Sequence, residues 1–207
     1  AILFGFRGLN DIKVEEKNLL KKHLPSNLSI LLSTSGSTGS PKLVRLSENN
    51  IITNAEAISD FLKIDSDERA FCSLPLSYSY GLSVLNSHLY SGACVYLSDR
   101  TPFNEGYFDT LVREEISSIS GVPFFYQMLF RTGFLDKDIP LLKVMTQAGG
   151  KLGDKYIQKF NKYAESKGIV FCVMYGQTEA TARISYIPPD LLGSKVGSIG
   201  IPIPGGK

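Results

Sequence analysis

The 207-residue chain is 43% hydrophobic and 20% charged, the balance of an ordinary globular protein with enough apolar material for a buried core. Lys+Arg of 22 against Asp+Glu of 20 leave a net charge of +2 with no long run of one sign, which argues against a nucleic-acid or membrane-surface partner. Three widely spaced cysteines, two histidines and no apolar stretch of the roughly 18–20 residues a membrane span needs argue against a disulfide frame, a His-rich metal cluster and a membrane helix.

Cys72, Cys94 and Cys172 read instead as reduced core residues of a cytoplasmic protein. In chain order, residues 1–10 suggest a strand remnant running into a loop. Asp11 to His23 suggests a short amphipathic helix, with Lys17, Lys21 and Lys22 on its solvated face, ended by Pro25. Strands are expected at Leu28–Leu32 and Leu43–Leu46, on either side of a Gly/Ser/Thr loop. Ser47 is a good N-cap before a helix whose apolar residues, Ile51, Ile52, Ala55, Ile58, Phe61 and Leu62, recur at spacings of three and four. The pattern then predicts a strand over Ala70–Leu76, a helix over Leu82–Leu89 and a strand over Ala93–Leu97. A helix over Phe108–Glu115, a strand over Ser117–Gly121 and a helix over Pro123–Thr132 follow. Lys143–Gln147 reads as a strand, Gly153–Lys167 as a helix and Val170–Met174 as a strand. Strands alternating with helices at this spacing imply βαβ units and an α/β fold of mostly parallel sheets covered by helices. After Pro188-Pro189 short Gly/Pro-punctuated apolar pieces announce a β-rich segment.

The loop at 34–42 concentrates donors. A Walker A phosphate loop needs G-x-x-x-x-G-K-S/T, but Pro41 and Leu43 stand where it requires the second glycine and the metal-binding hydroxyl. Its chemistry still suits a polyphosphate: glycines let successive amides turn towards one anion, Ser35, Ser37 and Thr38 add hydroxyls, and Lys42 adds a cation. A flexible surface linker is the bland alternative. No G-x-G-x-x-G follows a strand, which excludes a dehydrogenase-type dinucleotide site.

The run Thr34-Ser35-Gly36-Ser37-Thr38-Gly39-Ser40-Pro41-Lys42 resembles the phosphate-binding signature of the adenylate-forming superfamily: acyl-CoA synthetases, nonribosomal-peptide adenylation domains and luciferases. Four further segments support the resemblance. Met174-Tyr175-Gly176-Gln177-Thr178-Glu179-Ala180 looks like its Y-G-x-T-E motif, with a flat face for a purine, a hydroxyl for phosphate and a hard oxygen for Mg²⁺. Gly197 to Gly205 is similar to its G-x-x-G-x-P-x-P-G segment, and Gln147-Ala148-Gly149-Gly150-Lys151-Leu152 loosely matches a small-residue strand end that lies against adenine and acyl group. Leu74 to Leu82 resembles P-L-x-H-x-x-G-L, except that Tyr78 stands where acyl-CoA synthetases commonly have His. No Asp or Glu lies between Phe71 and Tyr96 to pair with a substrate ammonium, which favours an acid without an α-amine.

The resemblance implies ATP-dependent activation of a carboxylic acid to an acyl-adenylate, followed by thioester formation on CoA or on the phosphopantetheine of a carrier protein. It assigns Thr34, Ser35, Gly36, Ser37, Thr38, Gly39 and Lys42 to ATP phosphates, and Gly149, Gly150, Lys151, Tyr175 and Gly176 to adenine. Tyr78, Ser79, Tyr80, Gly81, Gln147, Ala148 and Gln177 fall on the acyl side. Lys42, Thr178 and Glu179 carry the chemistry, with Glu179 holding Mg²⁺. It divides the chain into the end of a first α/β subdomain (1–66), a second α/β subdomain with the acyl and adenine pocket (67–187) and the start of a β-rich one (188–207). Family members continue into a T-G-D ribose anchor and a C-terminal domain with a catalytic lysine. Those features are missing here and the first residue is Ala, so the expectation is a central slab of a larger enzyme, a poor catalyst alone and prone to self-association. A truncated or degenerate nucleotide-binding module is the competing reading; intact Lys42, Thr178 and Glu179 count against it.

Overall fold

The computed structural model describes residues 25–34 and 42–206. Strands β1 (Leu28–Ser33) and β2 (Leu43–Ser47) form an antiparallel pair, and helix α1 (Glu48–Leu62) follows directly. Ser47 caps α1 as its residue type predicts: its hydroxyl accepts the Asn50 amide at 3.2 Å while the Asn50 side chain accepts the Ser47 amide at 3.1 Å. The expected pieces at 1–10 and Asp11–His23 lie outside the described residues.

Next come β3 (Arg69–Cys72), α2 (Ser79–Tyr90), β4 (Cys94–Leu97), α3 (Tyr107–Arg113), β5 (Ser118–Gly121) and α4 (Pro123–Arg131). They are followed by β6 (Val144–Gln147), α5 (Asp154–Lys167), β7 (Val170–Tyr175), β8 (Ser185–Tyr186) and β9 (Ile201–Pro202). These strands form one sheet in the order β4-β3-β5-β6-β7-β8-β9. Every pair from β4 to β7 is parallel, and β8 and β9 extend the sheet antiparallel.

Period-two alternation sends successive side chains of the central strands into two different cores. Phe71 and Phe171 join Leu111, Leu129 and Phe160 under α3, α4 and α5. Their neighbours Ala70, Cys72 and Cys172 join Ile58, Tyr80 and Val84 under α1 and α2. With both faces covered, β7 reads as a continuous apolar run, whereas β5 and β6 carry buried Ser118, Ser120, Thr146 and Gln147.

Two expectations need correction. The strand expected over Ala70–Leu76 stops at Cys72: Pro75 has no amide to donate, its carbonyl accepts the Tyr78 amide at 3.0 Å, and α2 starts at Ser79, three residues before the predicted Leu82. Cys94 is not a core residue, because β4 is the edge strand and its side chain faces solvent. The three-residue 3₁₀ turns at Phe134–Asp136, Thr178–Ala180 and Pro189–Leu191 and the two-residue strand β8 are too short for periodicity to reveal. Thiol labelling should accordingly be biphasic. Cys94 is expected to react with a water-soluble disulfide reagent in the native protein, and Cys72 and Cys172 only as it unfolds; rapid labelling of all three would contradict this packing.

Candidate active site

Parallel pairing places the carboxyl ends of β3, β6 and β7 on one edge of the sheet, and the segments that follow them wall a cavity of about 260 Å³. The sheet's order reverses at β3, whose neighbours are β4 on one side and β5 on the other. An open α/β sheet opens a crevice at such a point. From the loop after β3 and the start of α2 come Tyr78, Ser79 and Tyr80; from the end of β6, Ala148 and Gly149; from the turn after β7, Gly176, Gln177, Thr178 and Glu179. Thr34, at the end of β1, completes the wall from the two-stranded hairpin.

Local chemistry fixes each of these. The Thr34 amide donates to the Lys42 carbonyl at 3.1 Å, closing the base of the donor-rich loop; Ser35, Gly36, Ser37, Thr38 and Gly39 lie outside the described residues. Tyr78 caps α2 with no side-chain acceptor, so the electropositive start of a 12-residue helix is directed at the cavity. The Ser79 and Thr178 hydroxyls lie 3.2 Å apart and tie that helix end to the turn after β7. Gly149 has φ +77°, and a Cβ there would strike the Tyr78 hydroxyl and sit 3.0 Å from Val122 Cγ1; only glycine lets the tyrosine ring lie across β6.

The turn after β7 is strained. Thr181, a β-branched residue, holds φ +69° and ψ −59°, and the Ala182 amide donates back to the Ala180 carbonyl at 2.8 Å. This is a γ-turn of the rare positive-φ kind, costing on the order of 1–3 kcal/mol. It drives the Ala182 carbonyl against Gly176, where any side chain would collide with it. It also sets Ala182 and Arg183 into the cavity wall.

Arg183 is only 3% exposed. Its guanidinium lies over the Tyr80 ring at 4.7 Å, its Nη1 is 3.4 Å from Met174 Sδ, and its carbonyl accepts from Asn54 of α1 at 3.1 Å. No hydrogen-bond partner meets its Nε, and among the described residues no carboxylate forms an ion pair with it. Burial pulls its pKa below the ordinary guanidinium value, against the opposing pull of Tyr80 and the two cysteines. Burial pushes the Tyr80 hydroxyl up to about 12 despite Arg183 beside it; that hydroxyl donates to Thr146 at 2.9 Å.

Of the sequence-predicted residues, the structure gathers Thr34, Tyr78, Ser79, Tyr80, Ala148, Gly149, Gly176, Gln177, Thr178 and Glu179 on one wall. Gly81 packs instead against the Leu74 and Pro75 carbonyls, and the buried Gln147 side chain donates to the carbonyls of Ala148 and Gly150 at 3.2 and 2.9 Å. Neither lines the cavity. Lys42, Gly150, Lys151 and Tyr175 are exposed and outside its lining. Sequence reasoning missed Ala182 and Arg183. A signal was there: Arg183 is the one charge between Glu179 and Asp190, in an apolar stretch that continues from the turn.

These features fit Mg²⁺ bound through one protein carboxylate, with phosphates and water completing its shell: Glu179 is the lone carboxylate on the cavity, beside the Thr178 hydroxyl. Among the described residues no group of three or more His, Cys, Asp or Glu assembles a dedicated metal cage, and no helix is long and apolar enough to cross a membrane.

The fold is an α/β domain with a cavity off the carboxyl ends of a parallel sheet, walled in part by the Gly176–Glu179 turn. The family model for AMP-binding enzymes matches residues 8–207, and the chain belongs to that family. Among curated relatives, the feruloyl-CoA synthase of Amycolatopsis sp is 28% identical over 183 residues, covering 85% of this chain and 35% of that synthase. Among solved structures, VinN in complex with L-aspartate superposes with a TM-score of 0.75 at 27% identity, over 88% of this chain and 46% of that one. The o-succinylbenzoate coenzyme A synthetase of Bacillus subtilis in complex with AMP gives 0.73 at 27% identity, over 84% and 34%. The chain thus spans about a third of the length of the curated relatives it matches.

Behind the Tyr80 ring, His88 is buried in α2. Its Nδ1–H donates to the Val84 carbonyl at 2.8 Å and its Nε2 accepts from Ser118 at 3.2 Å. Burial first, then the nearby Arg183 charge, pulls the imidazole down to about 4, with the Val84 bond opposing. The unfolded chain therefore binds a proton that the folded one refuses between about pH 6.5 and 4, so stability is intact above 6.5 and is lost as pH falls through that window. The shift corresponds to about 3 kcal/mol. Denaturant titrations at pH 7 and pH 4.5 should show His88→Gln losing less stability on acidification than the native protein; equal losses would overturn this assignment.

Proposed function

We propose that this chain forms the nucleotide- and acid-binding part of an enzyme that activates a carboxylic acid with ATP, giving an acyl-adenylate and pyrophosphate. The observation that carries this reading is convergence. Thr34 at the base of the donor-rich loop, the start of α2 and the Thr178–Glu179 turn share one cavity, although they lie far apart in sequence.

Both reactants are anions, so the protein's task is to neutralise charge and hold the carboxylate in line with the α-phosphorus. In this reading the 34–42 loop and Lys42 take the terminal phosphates, and Thr178 donates to the α-phosphate. Glu179 would hold Mg²⁺, which supplies charge compensation for the departing pyrophosphate. Gly149, Gly150 and Gly176 leave room for a planar base, with Tyr175 offering a flat face. Tyr78, Ser79, Tyr80 and Ala148 border the acid.

The relatives, among them a feruloyl-CoA synthase and an indoleacetate–CoA ligase, favour transfer of the acyl group to CoA; a carrier-protein phosphopantetheine is the other acceptor. The ribose anchor and catalytic lysine of the family fall outside these 207 residues, so the chain alone is proposed to exchange weakly or not at all.

ATP–pyrophosphate exchange across a panel of carboxylic acids tests the reading, run on this chain and on a longer polypeptide containing it. Acid-dependent exchange by the longer protein is expected, with Lys42→Ala and Glu179→Gln each lowering it by at least about tenfold. Strong exchange by the chain alone would overturn the proposed need for the remainder. ATP binding without exchange by either, with any acid, would replace adenylation by a binding-module role.

A further inference from the structure

Resting on the adenylation reading, we propose that the acid carries a second anionic group, a distal carboxylate, and that Arg183 is the residue that selects it. The charge on Arg183 is the argument. A guanidinium that is 3% exposed, with an orphaned Nε and no carboxylate partner among the described residues, is an expensive feature to keep in a cavity wall. What surrounds it supplies only weak compensation: one aromatic face, one thioether and two neutral thiols. The buried carboxylate nearest in kind, Glu68, is engaged elsewhere, accepting from Ser117 and lying 3.6 Å from Lys143 Nζ. A bound anion is the missing partner, and a planar fork is the donor best matched to a carboxylate.

Position separates this anion from the reacting one. Glu179, Gln177 and Lys42 are all exposed, so the phosphate end of the site lies towards solvent. Arg183 is the buried member of the same wall. It borders both the main cavity and a small internal one lined by Glu68, His88, Ser118, Ser120 and Thr146; with the Glu68 carboxylate on that inner side, a ligand carboxylate is held on the main-cavity side of Arg183. A carboxylate held by this buried side chain lies deeper than the exposed turn that meets the phosphates, which calls for an acid anionic at both ends with a short spacer fitting about 260 Å³. No Asp or Glu lies between Phe71 and Tyr96, and Glu179 is the one carboxylate on the main cavity, which leaves its Arg183 side without a like charge among the lining residues.

The test is exchange with matched pairs on the longer polypeptide: butyrate against succinate, valerate against glutarate, hexanoate against adipate. The native enzyme should favour one of the diacids over its monoacid by at least about tenfold in kcat/KM, because a site built to hydrogen-bond a group rejects analogues that lack it. Arg183→Met should abolish that preference by lowering the diacid rate while leaving the monoacid within about threefold, and Arg183→Lys should restore part of it. The Tm of Arg183→Met without substrate should match or exceed the native value, as expected when an uncompensated charge is removed. Exchange with monoacids only, equal rates within each pair, or a Met variant that slows both members equally overturns the inference and leaves adenylation standing. Exchange with no acid of either kind overturns adenylation itself. The native enzyme's preference is readable even if the variants fail to fold.

Discussion

Parallel pairing from β3 to β7 is the constraint on which the site depends. Parallel strands must all end at the same edge, so the loops after β3, β6 and β7 are forced together whatever their sequences. Reversal of strand order at β3 opens a crevice at that edge, and the helix that follows β3 begins there with its positive end forward. Residues separated by nearly a hundred positions, Ser79 and Thr178, thus meet through their hydroxyls. The two covered faces of the sheet supply the rigidity that keeps this edge in place.

Holding the site at that edge requires concessions that a purely structural domain would avoid. Thr181 adopts a backbone conformation that β-branched residues shun, and Arg183 keeps its charge with little around it to balance. Both concessions occur within a few residues of Glu179, and none of comparable kind occurs in the large core beneath α3, α4 and α5 apart from the partnerless Tyr107 hydroxyl. Strain and uncompensated charge beside a cavity are what a binding site asks of a fold; the aromatic core beneath the opposite face has no such need.

Elements with a clear period were legible in the residues. Ser47 and its helix, the apolar strands β5 to β7 and the amphipathic α5 all stand within a residue or two of where spacing placed them, because the same burial that creates the pattern also creates the element. The strand ending at Cys72 was misjudged because Leu74 and Leu76 extend the apolar run past Pro75, and an apolar count cannot see a missing amide. Cys94 was misplaced because residue type does not say which strand lies at the edge. At the site, motif resemblance brought Thr34, Tyr78, Gly149 and Thr178 to one cavity, but Gln147 turned inward onto local carbonyls. Arg183 lies outside every motif, and its meaning depends on what is absent around it.

An interior polar seam joins the Arg183 side of the cavity wall to the rest of the domain. From Arg183 it runs through the Tyr80 ring to Thr146 and Ser120, whose hydroxyls lie 2.8 Å apart; the internal cavity then separates these from Ser118 and His88. Each hydroxyl in this seam has a partner, so the cost of burial falls on the groups that can carry charge, of which Glu68 has Ser117 and Lys143 while Arg183 and His88 face no carboxylate partner among the described residues. Arg183 retains its proton and His88 gives its proton up, and each charge disfavours the other across the same small volume. Neutralising Arg183 with a bound carboxylate would relieve His88 as well. The imidazole would then take up a proton at a higher pH in the ligated domain than in the free one. With a carboxylate on Arg183 as proposed, acid binding and proton uptake would be linked, with the sign set by Coulomb repulsion between Arg183 and a protonated His88 in an interior whose one carboxylate, Glu68, is already engaged by Ser117 and Lys143.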